Sequence, residues 1–148
     1  MVQLHEQNLR SFVKIWLKAK ELNINLPETD DTDYQSLEAL LRHVLRAARG
    51  YMTWMCAKLE LPDPEIDTTP KAEEIEVVAD TYLEHLVEKW KYPLKDVDAE
   101  KFEDKLYTAR WGVDYCIDAM MEHAVMHPIR HEYQLKNCLL YTSDAADE

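Results

Sequence analysis

The sequence predicts an all-α protein, a four-helix bundle, and three observations carry that prediction. There are two glycines in 148 residues, too few for folds that need left-handed backbone repeatedly, such as phosphate-cradling loops and turn-dense β architectures. Apolar residues recur at three- and four-residue intervals in four stretches, the period of one helix face. The segments between them are polar and carry most of the prolines, as connections do. A chain of this length suffices for one hydrophobic core and is short for two.

The first helix follows from Leu4, Leu9, Phe12, Val13, Trp16 and Leu22 and ends before Pro27. The polar stretch NLPETDDTD then turns the chain. Thr32 and Gln35 have the spacing of a capping box, with Ser36 as a rival N-cap for the second helix. That helix carries the most continuous stripe, from Leu37 through Leu40, Leu41, Val44, Ala48, Tyr51, Met55 and Leu59. LPDPEIDTTP is a connection, and Thr69 followed by Pro70 predicts the N-cap and first residue of a third helix running to about Trp90. Residues 93–112 show no defensible period and are expected to form a long loop or a short extra helix. After Gly112, Val113–Leu135 reads as a fourth helix, kinked or restarted at Pro128.

The net charge of −12 repels phosphate backbones and anionic membrane surfaces, so nucleic-acid binding is disfavoured. No run of ~18 apolar residues exists and the first ten residues lack a signal-peptide pattern, which predicts a soluble, cytoplasmic protein with no membrane partner. Cys56, Cys116 and Cys138 are odd in number and far apart, a pattern of reduced, mostly buried thiols. The last eleven residues, CLLYTSDAADE, resemble the conceptual translation of a transposon-end sequencing adapter. The native domain is therefore expected to span residues 1–137, with 138–148 set apart.

The chemistry of this chain lies in its histidines. His123, His127 and His131 are spaced by four residues, which puts them within about 80° of one helix face. Two imidazoles at i and i+4 can grip one divalent ion, as in helical zinc motifs. His43 shares a face of the second helix with Leu40, Ala47, Gly50 and Trp54, so it is expected to point into the bundle, either as a satisfied core histidine or as a third ligand. Three neutral nitrogens with one coordination position open describe a catalytic metal site, whereas structural zinc sites are normally closed by a fourth protein ligand.

The segments SLEALLRHVLRAARGYMTWM and HAVMHPIRHEYQL resemble the DinB/YfiT-like superfamily of metal-binding four-helix bundles, over most of residues 1–137. The resemblance implies that His43, His127 and His131 hold Zn²⁺ or Ni²⁺, with Gln134 behind them and His123 as an outer residue. It further implies a low-molecular-weight thiol or other small-molecule substrate, the thiol displacing water from the metal to become a nucleophile for S-transfer. The alternatives are a metal-dependent hydrolase and a non-catalytic metal-binding or structural bundle, which as a homodimer would bury a leftover apolar face.

Tyr51 and Trp54, on the helix of His43, are the pocket candidates. His5 and His85 lie on polar or mixed stretches and are expected to be solvated or peripheral. Glu38 and Glu122 are the carboxylates nearest in sequence to the ligands, with surface pairing as their simpler role. Arg42, Arg46, Arg49 and Arg130 are expected to form either an anion clamp or a basic face paired with acids.

Overall fold

Four α-helices make up most of the computed structural model, which describes residues 1–147 and side chains as far as Tyr141. They are α1 Val2–Glu21, α2 Leu37–Lys58, α3 Ala72–Trp90 and α4 Ile117–Asp147. α1 runs along α4, and α2 packs on both α3 and α4, an all-α bundle whose interior is filled by Leu9, Phe12, Trp16, Leu41, Met52, Met55, Ile75, Leu86 and Trp90. The two largest of these, Trp16 and Trp90, would each leave an indole N–H unpaired in the core. Trp16 Nε1 donates to the Leu37 carbonyl and Trp90 Nε1 to the Ala48 carbonyl, so both aromatics tie α2 into place. No described helix is long and apolar enough to cross a membrane.

Helix ends follow local chemistry. α1 and α2 close alike, with Asn23 at φ 54° and Glu60 at φ 57°. Behind them Ile24 N–H bonds the Ala19 carbonyl and Leu61 N–H the Cys56 carbonyl, the paired-bond ending that satisfies the last free carbonyls of a helix. Between the rival N-caps of α2 the fold uses Ser36, whose Oγ accepts from Ala39 N–H at 3.0 Å. Thr32 instead opens a 3-10 turn, Thr32–Tyr34, capped by Asp31. Ser36→Ala is accordingly expected to cost about 1 kcal/mol in chemical denaturation and Thr32→Ala only a few tenths; equal losses would contradict this assignment.

Three expectations are corrected. α3 begins at Ala72, not at Pro70, because the Thr69 hydroxyl is engaged by Tyr82 Oη at 3.0 Å while Tyr82 donates to the Asp67 carbonyl. Arg42 and Arg49 pair with no acid among the described residues: their Nε atoms donate to the carbonyls of Pro70 and Ile66, fastening the α2–α3 connection. His5 is not solvated but 1% exposed, stacked on Trp90 with centroids 3.6 Å apart.

α4 begins at Ile117 and continues through Pro128 without restarting. Proline removes one helical N–H and crowds the carbonyls of the preceding turn. The carbonyl left without that donor is Ala124's, and one residue on, Asn8 of α1 donates from Nδ2 to the Val125 carbonyl at 2.9 Å, binding this turn to α1. Helix α4 extends through Cys138 into the tail set apart above; the side chains beyond Tyr141, and Glu148 entirely, lie outside the described residues.

Residues 93–112 hold a 3-10 turn, Ala99–Phe102, and the first strand of a hairpin that the sequence did not suggest. Strands β1 Tyr107–Thr108 and β2 Asp114–Tyr115 pair antiparallel, Tyr107 opposite Tyr115. Gly112 at φ 82° supplies the left-handed residue of the turn. Arg110 and Trp111 sit at the tip of this hairpin, which leans over the face of α2 and α4 where the histidines gather.

Candidate metal centre

His43 on α2 meets His127 and His131 on α4, and one donor nitrogen from each lies within 4.8 Å of the other two. His127 is the middle member: its Nε2 is 3.2 Å from His43 Nε2 and 3.2 Å from His131 Nε2. His131 is buried and the other two are partly buried.

The outer edges of two rings face acceptors. His43 Nδ1 lies 3.2 Å from Asp33 Oδ2, and His131 Nδ1 donates to Gln134 Oε1 at 2.8 Å. With its Nδ1 carrying hydrogen, His131 presents a lone pair at Nε2, the arrangement in which an outer acceptor orients a metal-binding imidazole, and the Asp33 carboxylate stands against the same edge of His43. Where both neighbours present lone pairs, the single proton that His127 Nε2 can carry satisfies one and leaves the other lone pair to lone pair. A cation between the three nitrogens removes this conflict. Ligand distances of 2.0–2.1 Å with tetrahedral angles place neighbouring nitrogens about 3.3 Å apart, close to both 3.2 Å contacts. The donor set fits a divalent metal, and three nitrogens leave a position for a further ligand.

Electrostatics agrees. Burial, with the neighbouring His131 and His43, pushes His127 down to about 2. Burial pushes His131 down to about 4 against the opposing Gln134 hydrogen bond. Both rings are therefore neutral at neutral pH, as ligation requires.

The other sequence candidates take distinct places. Gln134 stands behind His131 as expected. His123 does not join the cluster: its ring stacks on Trp111 at 5.3 Å and meets Tyr51 edge-on at 5.4 Å. Tyr51 also faces His127 at 5.6 Å, and burial raises its hydroxyl to about 12, so it stays protonated. Trp54 meets Tyr107 of the hairpin at 6.1 Å. Glu38 pairs with Lys20, while Glu122 is exposed and has no partner among the described residues.

Sequence reasoning missed Asp33 and Tyr34. Asp33 orients His43, and Tyr34 packs 5.3 Å from His43 and 5.6 Å from His131. The acid-rich connection offered no periodicity to single them out; only the Asp31 cap of the 3-10 turn, accepting from Asp33 N–H at 3.0 Å, sets their direction.

A cavity of about 580 Å³ opens beside the three histidines, between α2, α4 and the hairpin, with Trp54, Trp111, Ala47 and Gly50 in its wall. That volume lies in the range of small-molecule sites. A larger depression of about 790 Å³ at the start of α1 is lined by Met1, Gln3, Lys91 and Lys95 among others and contains no histidine or cysteine.

Comparison of the chain with protein-family models, curated proteins and solved structures finds no match.

Proposed function

We propose that this chain is a DinB-like metalloprotein whose His43, His127 and His131 bind Zn²⁺ or Ni²⁺, and that it uses the site for thiol-dependent transfer to a small molecule. The observation that carries the reading is the convergence of three Nε2 atoms, two of them turned toward the centre by Asp33 and Gln134. The helical bundle and the two histidine segments support the family reading. A divalent ion held by these residues would supply Lewis acidity, lowering the pKa of a thiol bound to it.

The residues around the ligands do the rest. Gln134 holds His131 in one tautomer, Asp33 stands against the outer edge of His43, and Tyr34 and Tyr51 cover the ring faces. The adjoining cavity gives a substrate room to approach the open side. Cys56 does not supply the nucleophile in this reading: burial raises it to about 11, leaving it protonated and inert.

The test is elemental analysis of the full chain purified without a histidine tag, beside His43→Ala, followed by a screen of thiol and electrophile pairs. About one equivalent of zinc or nickel in wild type and its loss in the variant is the expected result. Folded protein that takes up neither metal overturns the metal centre. A metal-loaded protein that consumes no thiol overturns the transfer step alone.

A further inference from the structure

Acids outnumber bases 29 to 17 in this chain, yet the cavity beside the histidines reverses that balance. Its wall includes Arg46, Arg49, Arg110 and Arg130 and no aspartate or glutamate. Arg49 is committed to the Ile66 carbonyl. Among the described residues Arg46, Arg110 and Arg130 make no ion pair or side-chain hydrogen bond, although Arg10, Lys20 and Lys91 elsewhere on the surface all find carboxylates. The three come from separate elements, α2, the hairpin and α4, so their meeting at one cavity is a property of the fold and not of a basic run.

Among the described residues Asp33 is the carboxylate placed against the cluster, and it lies 3.2 Å from His43 Nδ1. The charge of Arg130 reaches the histidines and Tyr51, opposing further positive charge there. A divalent ion on three neutral imidazoles adds to the same sign. An occupant that neutralises this cavity must be negative, and guanidinium groups favour oxyanions because their planar forks match carboxylate and phosphate geometry. Trp54 and Trp111 give the same cavity apolar walls.

We propose that the cavity binds a small organic anion, its carboxylate or phosphate held by Arg46, Arg110 and Arg130 and its apolar body lying against Trp54 and Trp111. The arginines recognise the anion whether or not the site is metallated; the inference rests on the proposed function only for the statement that the bound molecule is the transfer substrate.

The test is calorimetric titration of the full chain, zinc-loaded and chelator-treated, with 3-phenylpropionate, phenyl phosphate, 3-phenylpropan-1-ol and 3-phenylpropylamine. At least one anion is expected to bind about tenfold or more tighter than the alcohol, with the amine weakest. The preference should shrink at high salt and persist in the chelated protein. Which anion binds better distinguishes a carboxylate from a phosphate substrate. Arg46→Gln/Arg130→Gln and Arg110→Gln should erase the preference while zinc stoichiometry and helical circular dichroism stay as in wild type. Equal binding of anions and alcohol, no binding of any probe, a preference seen only with zinc present, or variants that bind like wild type would each overturn the proposal. Zinc content, measured on the same samples, judges the metal centre separately.

Discussion

Alanine at His127 is expected to weaken zinc binding by a factor on the order of 10² to 10³. Structural zinc sites contribute about 10–16 kcal/mol of binding free energy, or about 2.5–4 kcal/mol for each of four ligands. His127 is the histidine in contact with both others, 3.2 Å from each, so its removal leaves two nitrogens on different helices and no bridging donor. Asp33→Asn and Gln134→Ala act one step further out. They loosen the orientation of His43 and His131 without removing a donor, and a tenfold to hundredfold loss is expected. Competition against a chromophoric chelator measures all three. The grading is the informative part: if Asp33→Asn costs as much as His127→Ala, Asp33 is itself a ligand, and if none of the three changes affinity, zinc binds elsewhere. The same series has a thermal readout, because metal that binds only the folded chain stabilises it by about 2.7 kcal/mol at 100 times the dissociation constant. That increment should vanish in His127→Ala.

Much of this was legible in the residue order, and the parts that were not share a cause. The stripe from Leu37 to Leu59 is a local pattern, and so is the i, i+4 run of histidines on α4; each could be assigned to a helix face without knowing its neighbours. That the two faces meet follows from bundling, since His43 shares its face with residues that must be buried. Features set by contacts distant in sequence were out of reach. Thr69–Pro70 has ideal start chemistry, but Tyr82 takes the threonine hydroxyl and the helix opens later. Pro128 reads as a break, but a side chain on α1 partners a carbonyl in the turn before it. The hairpin has two residues in each strand, too few for alternation to show, so the placement of Trp111 and Arg110 beside the cavity was invisible. His5 is different, because its signal was present: counted with Leu9, Phe12 and Trp16, it falls on the apolar stripe of α1 at helical intervals, and its polar immediate neighbours obscured that.

His5→Phe is expected to stabilise the protein increasingly as the pH falls. In the fold His5 is 1% exposed, its Nε2 has no hydrogen-bond partner among the described residues and its ring lies 14° from parallel with Trp90. Burial alone pushes its pKa down to about 3, against about 6.5 in the unfolded chain. Between these values the unfolded chain takes up a proton that the folded chain refuses, so stability falls as pH drops through 6.5 and continues to fall until about 3. Above 6.5 both states are neutral and the proton contributes nothing. Phenylalanine keeps a flat ring against Trp90, removes the unpaired nitrogen and removes the titration. Near pH 7.5 the variant should equal or exceed wild type by about 1 kcal/mol, the cost of one buried unpaired polar atom. By pH 5 the gap should have grown by about 2 kcal/mol, since each pH unit below 6.5 costs the histidine protein about 1.4 kcal/mol. Urea denaturation of both proteins across this range, with metal removed, measures the difference directly, and every other titrating group is common to the pair and cancels. A gap that stays constant with pH would mean that the folded protein protonates His5 as readily as the unfolded chain does, which a sealed stack on Trp90 forbids.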